Sequence, residues 1–221
     1  MPAASLTVVA AALIAAATRW WLARLPEPEV DVDEHKIPYA ELARPVVPTL
    51  AMVVLAALLA AVAAWQLPPV VLPAWAVVAG VAPVLAYVDL RTHLLPYLIV
   101  APTYLAVWAL TLGVGIGTRD AGLALAALIG NVVVFAVFWI LYVIAGRFLA
   151  GGFGYGDVRL SAVLGVLLGP LGASATFVGI YAGFVIAAIA GVIRNRGRVR
   201  GGPPVAFGPA MVVGAFVAVF V

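Results

Sequence analysis

Eight apolar runs, at 3–22, 46–65, 70–88, 97–112, 121–145, 158–171, 175–193 and 205–221, take up most of the 221 residues. A helix needs ~20 apolar residues to cross the ~30 Å hydrocarbon layer, and every backbone polar group in that layer must find its partner within the protein. Turn-forming segments rich in Gly and Pro separate the runs: Gln66-Leu67-Pro68-Pro69, 89–96, 113–120, 146–157, 169–174 and 194–204. The pattern predicts an all-α polytopic membrane protein of about eight transmembrane helices, a single membrane domain over 1–221. Composition agrees, since 66% hydrophobic residues, 10% charged residues and a mean hydropathy of +1.21 exclude a water-soluble enzyme. The chain has no cysteine, which removes disulfides, thiol nucleophiles and cysteine-held zinc together.

A net charge of +3 and a pI near 9.5 would fit a nucleic-acid binder, but in a membrane chain arginines report orientation first, so no nucleic-acid partner is expected. No basic residue precedes the run at 3–22, and Arg19 and Arg24 stand near its end, so it reads as a retained outside-to-inside span rather than a secretory signal. The sixth run rises only ~21 Å against a ~30 Å core. Counted as a crossing, it leaves Arg19, Arg24, Lys36, Arg44, Arg91, Arg147, Arg159, Arg194, Arg196, Arg198 and Arg200 inside and only Arg119 outside, eleven to one. Merging 158–193 into one crossing lowers the ratio to seven to five, so the positive-inside tendency favours a separate sixth helix with both termini outside. Between the first two runs, 26–45 reads as an acidic cytoplasmic loop. It holds Glu27, Glu29, Asp31, Asp33, Glu34 and Glu41, six of the nine acidic residues.

Three carboxylates remain outside that loop: Asp89, Asp120 and Asp157. Asp120, beside Arg119 in a short outside turn, reads as a solvated loop residue. Asp89 ends the third run in Asp89-Leu90-Arg91-Thr92-His93-Leu94-Leu95-Pro96, and Asp157 opens the sixth in Gly154-Tyr155-Gly156-Asp157-Val158-Arg159. Two helices lie between them, an even number, so both belong to the cytoplasmic boundary although 68 positions separate them. An ionisable group in a membrane helix costs ~2.5–3.5 kcal/mol at the helix centre and usually faces the bundle interior or a watery cavity.

Two readings of these acids stay open. In the plainer one, Asp89 pairs with Arg91 or Arg159 and Asp157 is a helix N-cap. In the other, the carboxylates meet and share one proton, and together they hydrolyse a peptide bond: one activates water while the other polarises the carbonyl. Gly151, Gly152, Gly154 and Gly156 strip side chains from the approach to Asp157, which an extended substrate requires and a cap does not.

The other polar groups fit packing or solvation. Asn131 inside the fifth run reads as a bridge between helices, and the Gly165/Gly169 and Gly179/Gly183 pairs as close helix contacts. His93 and His35 are too few for a zinc protease, no metal or organic cofactor is implied, and no serine sits in a Gly-x-Ser-x-Gly elbow. A carboxylate-using proton or cation transporter is the competing class, and it calls for an inverted repeat and a midplane site. A non-catalytic scaffold of a pilus or secretion assembly is the third reading.

Three motifs resemble the type IV prepilin peptidases, members of the GxGD membrane aspartyl proteases along with presenilin and signal peptide peptidase. They are Asp89-Leu90-Arg91 leading to Pro96, Gly154-Tyr155-Gly156-Asp157 followed by Val158-Arg159-Leu160, and Phe207-Gly208-Pro209. The likeness covers a peptidase core of about 70–221. It implies a GxGD-protease-like bundle in a bacterial inner membrane, with Asp89 and Asp157 as the catalytic pair cutting the leader from pilin-like precursors at the cytoplasmic face. Gly154, Gly156, Phe207, Gly208 and Pro209 are implied to contact or support substrate, and the implied partners are a prepilin-like protein and the lipid bilayer. Bifunctional members carry a larger, cysteine-containing domain between their first two helices and also N-methylate the product. The compact loop here lacks that region, so the resemblance does not carry methyl transfer across.

Overall fold

The computed structural model describes residues 2–26, 37–148, 154–194 and 205–221. Among them are nine α-helices: α1 (Pro2–Leu22), α2 (Tyr39–Leu42), α3 (Val46–Gln66), α4 (Leu72–Thr92), α5 (Tyr97–Thr118), α6 (Ala121–Phe148), α7 (Tyr155–Leu168), α8 (Ala173–Arg194) and α9 (Gly208–Val217). Short 3-10 turns, Gly169–Leu171 and Ala218–Phe220, continue α7 and α9. All eight apolar runs are helical, and α2 is an addition. It lies in the stretch expected to be a loop, where Tyr39 and Leu42 are buried. Five of that stretch's six acids fall at 27–36, outside the described residues, as do Gly151, Gly152 and Phe153 and the arginines at 196, 198 and 200.

The protein is a polytopic membrane protein: α1, α3, α4, α5, α6 and α8 are each long and apolar enough to cross a bilayer. The remaining two are short. With its 3-10 turn, α7 rises about 27 Å and α9 about 21 Å. Both are surrounded by other helices, with 10 buried residues named in the 14-residue α7 and 7 in the 10-residue α9. A helix end shielded by protein need not match the lipid thickness. The chain reverses after α7 at Gly172, whose φ of +99° is open to glycine. Val166, Leu167 and Pro170 at the end of α7 share a small void with Val71 and Trp75 at the start of α4. The short helix thus runs the length of the buried α4 in the opposite direction, and 158–193 is not one crossing.

The largest shift of a sequence-based boundary is at the end of α5. The glycines at 113, 115 and 117 were expected to open a turn, yet α5 continues through them to Thr118. Water is the competitor that makes glycine a helix breaker, and an apolar surround removes it. The turn is confined to Arg119, with φ of 57°, and Asp120. Asp120 is no idle loop residue, because its Oδ1 accepts hydrogen bonds from the N–H groups of Gly122 (2.9 Å) and Leu123 (3.3 Å) and so caps α6.

Helices α4, α7 and α9 form the interior, and glycine sets how closely they approach their neighbours. At the antiparallel α6/α7 crossing, a Cβ on Gly130 would strike the Gly165 carbonyl oxygen and stand 2.6 Å from the Gly169 Cα. Gly179 and Gly183 on α8 lie against Gly214 and Met211 on α9. Asn131 bridges three helices. Its Nδ2 donates to the Ala162 carbonyl at 2.8 Å, and its Oδ1 accepts from the Tyr104 hydroxyl at 3.3 Å. In lipid, helices associate by such contacts rather than by expelling water. Gly130→Val should therefore force α6 off α7 and destabilise the bundle by about 1–3 kcal/mol or more. Thermal unfolding in detergent measures this, and an unchanged midpoint would contradict the tight crossing.

The long helices alternate in direction, so their ends sort into two groups. Arg19, Arg24, Arg44, Arg91, Arg147, Arg159 and Arg194 all sit at the end where α1, α4, α6 and α8 finish and α3, α5 and α7 begin. Of the described cations, Arg119 alone is at the other end.

Candidate active site

Asp89 occupies the last turn of α4. The helix closes there because the His93 N–H donates to the Asp89 carbonyl at 2.8 Å while His93 turns into the left-handed region at φ 54°. Thr92 tightens the same turn, its hydroxyl donating to the Val88 carbonyl at 2.8 Å and accepting from the Leu94 N–H at 3.3 Å. The His93 side chain is exposed and lies within electrostatic range of Asp89, while its backbone closes the helix end.

The Asp89 side chain is 4% exposed and accepts one hydrogen bond, from the Gly208 N–H to Oδ2 at 2.9 Å. Gly208 opens α9, followed by Pro209 in its first turn. A Cβ at Gly208 would stand 2.8 Å from that same oxygen, so only glycine lets the backbone donate here without displacing the carboxylate. Phe207 is directed elsewhere. Its ring packs against Phe184 and Phe138, with centroids 5.2 and 6.0 Å away, and pins the start of α9 between α8 and α6.

Asp157 lies in the first turn of α7 and is 9% exposed. The N-cap position belongs to Gly154, whose carbonyl accepts the Asp157 N–H at 3.1 Å. Asp157 therefore sits three positions into the helix, and the simple N-cap reading does not hold. A Cβ on Gly154 would come within 3.3 Å of Asp157 Oδ2, so the carboxylate folds back over this glycine. The Asp157 and Asp89 carboxyl groups lie within electrostatic range of each other.

Leu95 links the two halves, and nothing in the sequence pattern singles it out. Its Cβ would be 3.1 Å from a side chain placed on Gly156, and its Cδ2 would be 3.4 Å from one placed on Gly208. One leucine from the α4–α5 connection thus wedges between the glycine preceding Asp157 and the glycine that holds Asp89. The arrangement brings Asp89, Asp157, Gly154, Gly156 and Gly208 to one end of the bundle, the end that carries the seven described arginines, and leaves Phe207 behind them as an anchor.

Neither aspartate is bound to an arginine among the described residues. Arg159, a candidate partner for Asp89, lies instead over the rings of Tyr97 and Tyr155, with its Cζ 4.7 and 4.5 Å from their centroids. Two buried acids without an arginine partner among the described residues, one of them held by a backbone donor, can divide a single proton between acid and base work.

Residues 76–194 match the Peptidase_A24 model, described as the type IV leader peptidase family. This span holds α5, α6, α7, α8 and most of α4, including both aspartates, and stops short of Phe207-Gly208-Pro209. No curated protein and no solved structure matches the chain.

Proposed function

The chain belongs to the type IV leader peptidase family, and on that premise we propose that it is an aspartyl endopeptidase that removes the leader from prepilin-like precursors at the cytoplasmic face of a bacterial inner membrane. The observation that supports the reading is that Asp89 and Asp157, two buried acids from separate helices, lie within electrostatic range of each other with no arginine partner among the described residues. One carboxylate, ionised, takes a proton from a water molecule as the water oxygen attacks the scissile carbonyl carbon. The other, protonated, gives its proton to the carbonyl oxygen. As the tetrahedral diol collapses, the C–N bond breaks and the amine leaves with the proton held by the pair, while one diol hydroxyl gives its proton to the ionised carboxylate, so the site again holds a single proton. Acid and base roles belong to the pair rather than to either residue.

The Gly208 N–H fixes one oxygen of Asp89 and leaves the other for water or substrate. Gly154 makes room for the Asp157 carboxylate and Gly156 for Leu95, so both glycines support the pair from behind. The excess of arginines at this end supports its assignment to the cytoplasmic side, with both termini outside. The six acids between Glu27 and Glu41 would attract a basic leader over a distance of about one Debye length, ~10 Å at 0.1 M salt.

The direct test is to co-express the protein with a prepilin-like precursor and follow leader removal by mass and by N-terminal sequence of the product. Release of one N-terminal fragment is expected. Uptake of protons or cations into vesicles with the precursor left intact would replace this reading with the transporter. Replacing the six acids by their amides should slow cleavage about 10-fold or more at low salt and leave the rate at high salt unchanged. Equal rates at both salt levels would remove the steering role.

A further inference from the structure

A cavity of about 400 Å³ opens between α5, α6 and α7. It lies on the far side of α7 from the aspartates: Arg159 lines it, and two residues along a helix turn the side chain by about 200° from the direction of Asp157. Its end residues are Tyr97, the first residue of α5, and Arg159, the fifth residue of α7. They are therefore at the bundle end where the described arginines gather. From there the cavity extends along α5 as far as Leu105, about 12 Å. Val100, Leu105 and Phe135 give it apolar walls, and the hydrogen-bonded Tyr104–Asn131 pair lines its deeper part.

Arg159 is the unusual element. Two tyrosine rings cover its π surface, yet among the described residues it has no carboxylate within ion-pair distance and donates no hydrogen bond. A guanidinium carries five N–H donors in its plane, and ring faces do not satisfy them as an oxyanion does. A cation with unused donors thus stands at the membrane boundary, above an apolar groove parallel to the helix axes. Its natural complement is a molecule with a phosphate at one end and a hydrocarbon chain at the other. Basic pockets between transmembrane helices on the cytoplasmic side hold lipid headgroups in this way.

We propose that this groove binds one anionic glycerophospholipid, with its phosphate on Arg159 and an acyl chain along Val100, Leu105 and Phe135. The lipid would brace α5 and α6 against the first turn of α7, the turn that carries Asp157. The site is separate from the peptidase chemistry, and its test does not depend on cleavage.

Native mass spectrometry of the purified full chain, titrated with dioleoylphosphatidylglycerol or dioleoylphosphatidylcholine, measures the binding. One phosphatidylglycerol should be retained per chain in preference to phosphatidylcholine. Arg159→Gln should weaken retention at least about tenfold, and Arg159→Lys by less, since it keeps the charge without the planar fork. Leu105→Trp, at a position 66% exposed, fills the groove and should abolish retention without disturbing the core, which keeps the test valid if Arg159→Gln unfolds. Arg194→Gln, at the same end of the bundle, should bind as wild type does. Equal retention of the two lipids, or full retention by folded Arg159→Gln, would overturn the proposal. Displacement by millimolar inorganic phosphate would turn the Arg159 end into a plain anion site, and displacement by a prepilin-like peptide would reassign the groove to substrate; either result also overturns it.

Discussion

Asp89→Asn and Asp157→Asn should each lower leader cleavage by roughly 10³-fold, the middle of the range for removing a group that transfers a proton in the transition state. Asparagine keeps the shape and volume of the side chain but cannot take part in sharing a proton. The effect should be on kcat rather than on precursor binding. Because both residues serve one proton cycle, the double variant should be no slower than either single one. Neither aspartate holds an arginine among the described residues, so the variants leave no buried cation stranded, and their membrane level and unfolding midpoint should stay close to wild type. Wild-type trimming by either single variant would end the two-carboxylate mechanism. A collapse in protein level would point instead to a structural role for the acids.

The second large effect is expected at a residue with no reactive group. Gly208→Ala places a methyl 2.8 Å from Asp89 Oδ2, closer than real contacts allow. The atom it meets is the end of a side chain, so the carboxylate can swing away at small cost to the fold. That movement removes it from the Gly208 N–H and from alignment with Asp157, and a displacement near 1 Å costs about 10²-fold in rate. Activity should fall about 100-fold while the unfolding midpoint moves by a few degrees at most. Gly156→Ala is the graded comparison. Its methyl would meet the Leu95 side chain at 3.1 Å, which can yield by a few tenths of an ångström, so a smaller loss is expected. Equal activity in Gly208→Ala and wild type would mean that the Gly208 contact does not position Asp89.

Some of this arrangement could be read before any coordinates. Asp89 and Asp157 stood out because an acid at the edge of an apolar run is costly to insert, and counting helices between them placed both at one boundary. The glycine pairs at 165/169 and 179/183 were also legible, since small residues at that spacing mark close approach. Other features were hidden. The shape of the last helix gave no sign that Gly208 donates to Asp89, for its motif is equally a proline-started helix. Leu95 looked like any other apolar residue in a loop, and Arg159 looked like a partner for an acid when its guanidinium instead lies over two tyrosine rings.

The division has a physical cause. In lipid, a helix forms wherever the chain is apolar for long enough, because the backbone has no other partner, so the helical bundle, its alternation and its charge asymmetry are local properties of the string of residues. Which helix is enclosed is not local. Apolar side chains are equally at home against lipid or protein, and hydropathy does not separate the buried α4 from α1, which is about as apolar yet faces mostly outward. That choice rests on where backbones can touch across the bundle, and the hydrogen bond from Gly208 to Asp89 joins residues 119 positions apart. Only packing in three dimensions brings such atoms within reach, and with them the geometry that makes a pair of aspartates into a site.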